Sequence, residues 1–134
     1  MKHIQIGLSL ALGIGALLAT VPAVAHHSFS AEFDSEKPVS FEGAVSKVEW
    51  TNPHIWVYVD VKGEQGQLVQ YQCEGSSPNA LGRRGWRRDT LNPGDAVIID
   101  GYEAKRDPLT CNMASIRLAD GTRLFAGSSI EDEQ

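Results

Sequence analysis

The chain has 134 residues, with 12 Lys+Arg against 17 Asp+Glu, a formal net charge of −5 and two cysteines. That length fits one small domain. The acidic balance speaks against general nucleic-acid binding, which relies on Lys and Arg to neutralise phosphates.

Met1-Lys2-His3 opens the chain, an apolar run follows from Ile6 to Ala19, and Ala23-Val24-Ala25 comes after Pro22. A basic start, a short apolar stretch and an Ala-x-Ala site together predict a cleavable export signal over 1–25. The run is roughly 14 residues where a spanning helix needs roughly 20, so an uncleaved anchor is the weaker alternative. No cysteine follows the cut for lipid attachment, and no twin arginine precedes the apolar run. The expectation is periplasmic or secreted delivery in the unfolded state, with no membrane span in the mature form. Without Lys2 the mature chain carries a net of −6.

Residues 26–38 show no period and read as an extended arm that Phe29 and Phe33 could tack to the body. Residues 39–127 read as the folded domain. Val39, Phe41, Gly43 and Val45 alternate as a half-buried strand does. Val48 and Trp50 alternate in the opposite parity, so a β-bulge is expected near Ser46-Lys47. Thr51-Asn52-Pro53-His54 is a turn, and Ile55 to Val61 is the clearest strand. Lys62 to Gln67 makes a hairpin connection into a third strand, Leu68 to Glu74. Ser77 is a good N-cap, Pro78 a good first helical residue and Gly85 a good stop, which predicts a helix of about two turns. Ala96 to Lys105 and Met113 to Leu118 are further strands. Asp120-Gly121 signals a hairpin into a short sixth strand at Arg123–Phe125. Residues 128–134 are polar and acidic and read as a disordered tail. The order implies an all-β domain with one short helix, an OB-fold-like barrel of five to six strands whose helix lies between the third and fourth. Another small β-sandwich or barrel is the alternative.

Cys73 and Cys111 form an even pair, which in an oxidising compartment suggests a disulfide. Two separate buried thiols are the alternative. Neither sits in a Cys-x-x-Cys motif, so zinc or redox chemistry has no support.

Ala-His-His-Ser-Phe at 25–29, Trp-Thr-Asn-Pro-His at 50–54, and Ser-Pro-Asn-Ala-Leu leading to Gly85-Trp86 carry a resemblance. The chain resembles small exported bacterial proteins grouped as a domain of unknown function, and more loosely the periplasmic bacterial OB-fold proteins. The first resemblance covers roughly His26 to Leu124. It implies export and a small β domain and supplies no activity. The chain differs from the usual family pattern in Cys73 and Cys111, which would make a disulfide particular to it.

Three places could carry chemistry. A cut after Ala25 would give His26 a free amine beside its imidazole. Amine and ring nitrogen together can chelate Cu(II), completed by a second imidazole. That arrangement resembles the histidine brace of periplasmic copper carriers. His27 is awkwardly adjacent, so His54 is the better completing ligand; the plain alternative is a polar start and a turn histidine. The second place is the outward side of strands two and three, where Trp56 and Tyr58 meet Gln70 and Gln72. Aromatic platforms of this kind stack on sugar rings or bases. Alternatively the N-terminal arm covers them. The third is Arg83, Arg84, Arg87 and Arg88 around Trp86, a set of guanidinium forks that suits carboxylates or phosphates. Its plain alternative is a solvated face, with Trp86 plugging the barrel end. No nucleophile elbow, metalloprotease helix or phosphate loop is present. The sequence therefore favours an exported, non-enzymatic binding or accessory module, for a small anionic or glycan-like molecule or an envelope protein. A copper-binding protein is the alternative.

Overall fold

A computed structural model describes residues 29–127. In chain order the elements are α1 (Phe29–Glu32), β1 (Phe33–Glu49), β2 (Trp56–Lys62), β3 (Leu68–Glu74), α2 (Pro78–Arg83), β4 (Ala96–Ala104), β5 (Thr110–Leu118) and β6 (Arg123–Phe125). The hydrogen-bonded order is β3-β2-β1-β4-β5-β6, and β3 pairs in addition with β5. That extra pairing closes a ring, β1-β2-β3-β5-β4, with α2 inserted between β3 and β4 in sequence. The domain is a small all-β barrel, arranged as the element order implied. It carries a second helix, the single turn α1, that the sequence reading lacked. No helix among the described residues is long and apolar enough to cross a membrane.

β1 makes the closure possible because it serves two neighbours. Its first part pairs with β4 and its last part with β2; Ala44 lies opposite both Ala96 and Asp60. The register slips between Val45 and Lys47, where the change of parity placed the bulge. A bulge bends a strand and adds twist, which lets one strand turn a barrel corner. Gly43 sits just before the corner. A Cβ there would lie 2.5 Å from the Asp60 carbonyl oxygen and 2.6 Å from Val59 Cγ1. Gly43→Ala should therefore lower stability by about 1–3 kcal/mol, the usual cost of overpacking, measured by urea unfolding. A loss below experimental error would mean that the corner is soft.

Two strand starts differ from the sequence reading by more than one residue. β1 begins at Phe33 rather than Val39, because Phe33 pairs with Ala104 before the register breaks and resumes at Pro38 opposite Tyr102. Asp34 to Lys37 fall inside that break and hide the alternation. β5 begins at Thr110 rather than Met113, because Thr110, Cys111 and Asn112 pair in parallel with Gln72, Cys73 and Glu74. The part of the expected arm within the described residues is thus helix and strand. Phe29 does tack it down, 5.6 Å from the Phe33 ring and edge-on to Tyr102 at 5.5 Å.

The inward residues of β2 and β4 alternate as a two-residue period demands, and those of β5 are offset by a register shift opposite Asp100 and Gly101. Val57 and Val59 of β2, Val97 and Ile99 of β4, and Met113 and Ile116 of β5 fill the interior with Val45 and Ile55. Cys73 and Cys111 are directly opposite across the β3–β5 pairing, 4.5 Å apart at Cα, and are joined by a disulfide. α2 begins as expected, with the Ser77 side chain accepting from the Ala80 N–H and Pro78 in the first turn. Gly85 ends that segment in the left-handed region at φ +91. Leu81, Trp86, Leu91 and Ala126 cap this end of the core. At the other end Phe41 stacks on Tyr71 with 4.3 Å between centroids.

Candidate functional site

The residues between the inward positions share one side of the sheet, on which Glu74 and Asn112 are buried and the others named below are partly or fully exposed. Register places Glu49 of β1 opposite Trp56 of β2, Trp56 opposite Glu74 of β3, and Glu74 opposite Asn112 of β5. The neighbouring rank runs from Lys47 to Tyr58 to Gln72 to Thr110. Asp60 and Gln70 follow as the next pair. Residues directly opposite on one face have Cβ atoms about 4.5–5.5 Å apart, close enough to interact.

Those side chains hold one another in place. Gln70 Nε2 donates to Asp60 Oδ1 and to Ser46 Oγ, each at 3.1 Å. Gln72 Nε2 donates to Thr110 Oγ1 at 2.8 Å, and the Thr110 hydroxyl donates to Asp107 Oδ2 at 2.6 Å. Tyr58 Oη donates to Glu49 Oε2 at 3.4 Å, and Lys47 bonds to the other Glu49 oxygen. The Lys47 ammonium also lies over the Tyr58 ring, 5.1 Å from its centroid. The Lys47 hydrogen bond holds the Glu49 carboxyl below its ordinary 4.5, with the Lys47 charge and the Tyr58 hydroxyl adding to it. The Thr110 hydroxyl and the Leu109 N–H hold Asp107 low in the same way. At neutral pH the face therefore carries ionised carboxylates. The expected set Trp56, Tyr58, Gln70 and Gln72 is brought together here. Phe29 lies instead against Phe33 and Tyr102, on the β4 side.

His54 stands at the end of this face, in the loop before β2. Its Nδ1 is 3.0 Å from the Gly75 carbonyl oxygen and 3.3 Å from Glu74 Oε1. Both partners can only accept, so Nδ1 carries the proton. In the neutral ring Nε2 is then a bare acceptor nitrogen. Sequence reading selected His54 but missed Gly75, since a backbone carbonyl leaves no signature in residue type. Its other candidate ligands, His26 and His27, lie outside the described residues.

The arginine group divides. Trp86 is 2% exposed and its indole N–H donates to the Phe125 carbonyl at 3.0 Å, so it belongs to the core and presents no ligand surface. Arg84 Nη1 donates to the Gly127 carbonyl at 2.6 Å. Arg83, Arg87 and Arg88 are exposed around it. Elsewhere, a shallow cleft of about 210 Å³ lies between Asp95, Ala96, Leu118, Ala119 and Asp120. Its two carboxylates are held by the backbone N–H groups of Asn92 and Thr122.

Fold and face together define a small all-β barrel domain with a pre-ordered polar and aromatic outer surface. The chain belongs to a family of unknown function, DUF6152, whose model matches residues 15–111. The match spans β1 to β3, the disulfide and the whole outer face up to Cys111. No curated protein matches the chain.

Proposed function

We propose that this chain is an exported binding module that takes a neutral, hydroxyl-rich, glycan-like ligand on the outer face of β1, β2 and β3. The observation that carries the reading is the pairing of Tyr58 with Gln72 and of Asp60 with Gln70, beside the part-exposed Trp56, on the outward side of β2 and β3. Aromatic rings offer stacking surfaces, while amides and carboxylates accept and donate to hydroxyls at fixed positions. The carboxylates of Glu49, Asp60 and Asp107 disfavour an anionic ligand here, because like charges repel. Export is supported by the basic, apolar and Ala-x-Ala sequence of the first 25 residues and by the disulfide, which persists in oxidising compartments.

The test uses the protein's own fluorescence. Of its three tryptophans, Trp86 lies in the core and Trp50 packs against it, whereas Trp56 faces outward. Oligomers of N-acetylglucosamine, the probe, should quench the Trp56 contribution saturably. Trp56→Ala should weaken binding at least tenfold, since stacking is worth about 1–3 kcal/mol per ring contact in comparable platforms. No saturable quenching, or equal binding by the variant, would remove the reading.

A further inference from the structure

We propose that the end of α2 and the adjoining β6 form a second contact surface, separate from the outer-face ligand, that docks the protein on an anionic phospholipid bilayer. The first support is segregated charge. The chain is acidic overall, with 17 Asp+Glu against 12 Lys+Arg, yet between Glu74 and Asp89 it has no acidic residue and four arginines. Arg83, Arg84, Arg87 and Arg88 are all exposed. The ion pairs among the described residues join Lys37 to Glu103, Lys47 to Glu49, His54 to Glu74 and Arg123 to Asp100. Arg83, Arg87 and Arg88 enter none of these. Guanidinium forks match phosphate oxygens two at a time, and their weak hydration lowers the cost of leaving water.

The second support is how the fold presents these side chains. Trp86 is buried in the core, and its backbone N–H donates to the Leu81 carbonyl at 3.0 Å, which fixes the turn through Gly85. The Arg87 N–H donates to the Thr90 hydroxyl at 2.7 Å, and the Thr90 N–H returns to the Arg87 carbonyl at 3.0 Å. The arginines stand on backbone that is already ordered, so docking costs little chain entropy. A Cβ added at Gly82 or Gly85 would meet nothing within 4 Å. The segment is therefore a ridge rather than the wall of a groove, a shape that meets a broad flat surface better than it holds a peptide. The third support is Phe125. The bonds from Trp86 to the Phe125 carbonyl and from Arg84 to the Gly127 carbonyl hold β6 alongside the ridge. Phe125 is 64% exposed there, with the Arg123 guanidinium 5.5 Å from its ring. Cations beside an exposed aromatic ring suit a bilayer interface, where phosphates take the cations and the ring enters the headgroup boundary.

The experiment sediments the protein with vesicles of phosphatidylcholine alone and of phosphatidylcholine with phosphatidylglycerol in equal parts. Binding by the apolar 6–19 run would appear on both vesicle types and in every variant, so the ratio between the two vesicles is the readout. At low salt the anionic vesicles should bind at least tenfold more protein, and high salt should abolish the excess, because exposed charges are then screened within about 3 Å. Each basic side chain near an anionic bilayer is worth roughly a fivefold gain in partition. The triple change Arg83→Gln, Arg87→Gln, Arg88→Gln should therefore cut the excess at least tenfold with the thermal midpoint retained. Phe125→Ser should weaken vesicle binding severalfold and leave any binding of soluble polyglutamate unchanged. Equal binding to both vesicle types, or an undiminished excess in the triple variant, overturns the proposal. Vesicle binding that survives Phe125→Ser but is competed away by polyglutamate assigns the ridge to an acidic protein segment and overturns it too. Should the triple variant fail to fold, bicelles carrying a gadolinium-chelating lipid decide on the wild type. The amide resonances of Gly82 to Arg88 and of Phe125 should broaden before those of Asp60 and Gln70, and any other order overturns the proposal. No readout involves the oligosaccharide, so the two readings fail independently.

Discussion

Replacing both Cys73 and Cys111 by alanine is expected to lower the unfolding free energy by about 4 kcal/mol, the chain-entropy value for a loop of 38 residues. Against a typical domain stability of about 5–15 kcal/mol this is a large fraction. The effect is large because of where the bond sits. The β3–β5 pairing that closes the barrel has three residue pairs in register, and Cys73 opposite Cys111 is the middle one. Gln72 adds a backbone bond from its N–H to the Leu109 carbonyl at 2.9 Å and its side-chain bond to Thr110. Without the covalent link those few bonds must offset the entropy of closing the loop. Urea unfolding followed by far-ultraviolet circular dichroism gives the number. A loss under about 1 kcal/mol would show that packing alone holds the ring shut.

Trp86→Ala is expected to cost about 3–5 kcal/mol, the range for truncating a buried large aromatic. Trp86 fills the end of the barrel beside Leu81 and Leu91, and its backbone N–H closes the α2 segment onto the Leu81 carbonyl at 3.0 Å. Its indole N–H is spent on Phe125, in β6. One side chain thereby joins the helix end to the last strand. Trp86→Phe retains most of the volume and loses only that hydrogen bond, so about 1–2 kcal/mol is expected. The ordering of the two variants in thermal or urea unfolding is the check. Equal losses would place the stability in the hydrogen bond rather than in the packing.

Much of the fold was legible because its signals are local. The parity change after Val45 placed the bulge, and Ser77-Pro78 placed the start of α2. Leu68–Glu74 and Arg123–Phe125 were read at the residues where the strands begin and end. The misread starts of β1 and β5 have non-local causes. Phe33 becomes strand only through Ala104, and Thr110 only through Gln72. The outer face followed from alternation, so Trp56, Tyr58, Gln70 and Gln72 were selected together. The role of Trp86 was obscured by its neighbours: four arginines around a tryptophan suggest a surface, whereas its ring points inward to the core. His54 was legible as a residue but not as an oriented one, because the orienting oxygen belongs to the peptide group of Gly75.

Ring closure has a consequence for how molecules of this protein meet one another. An open sheet offers two long backbone edges to which a strand from another molecule can add, and such edges seed aggregation. Among the described strands β6 alone lies outside the closed ring, and it is three residues long. Its Phe125 is 64% exposed, but the Arg123 guanidinium lies 5.5 Å from that ring and the Phe125 carbonyl is already taken by Trp86. At the one described strand outside the ring, the edge open to strand-to-strand association is therefore short, and a charged side chain stands over it.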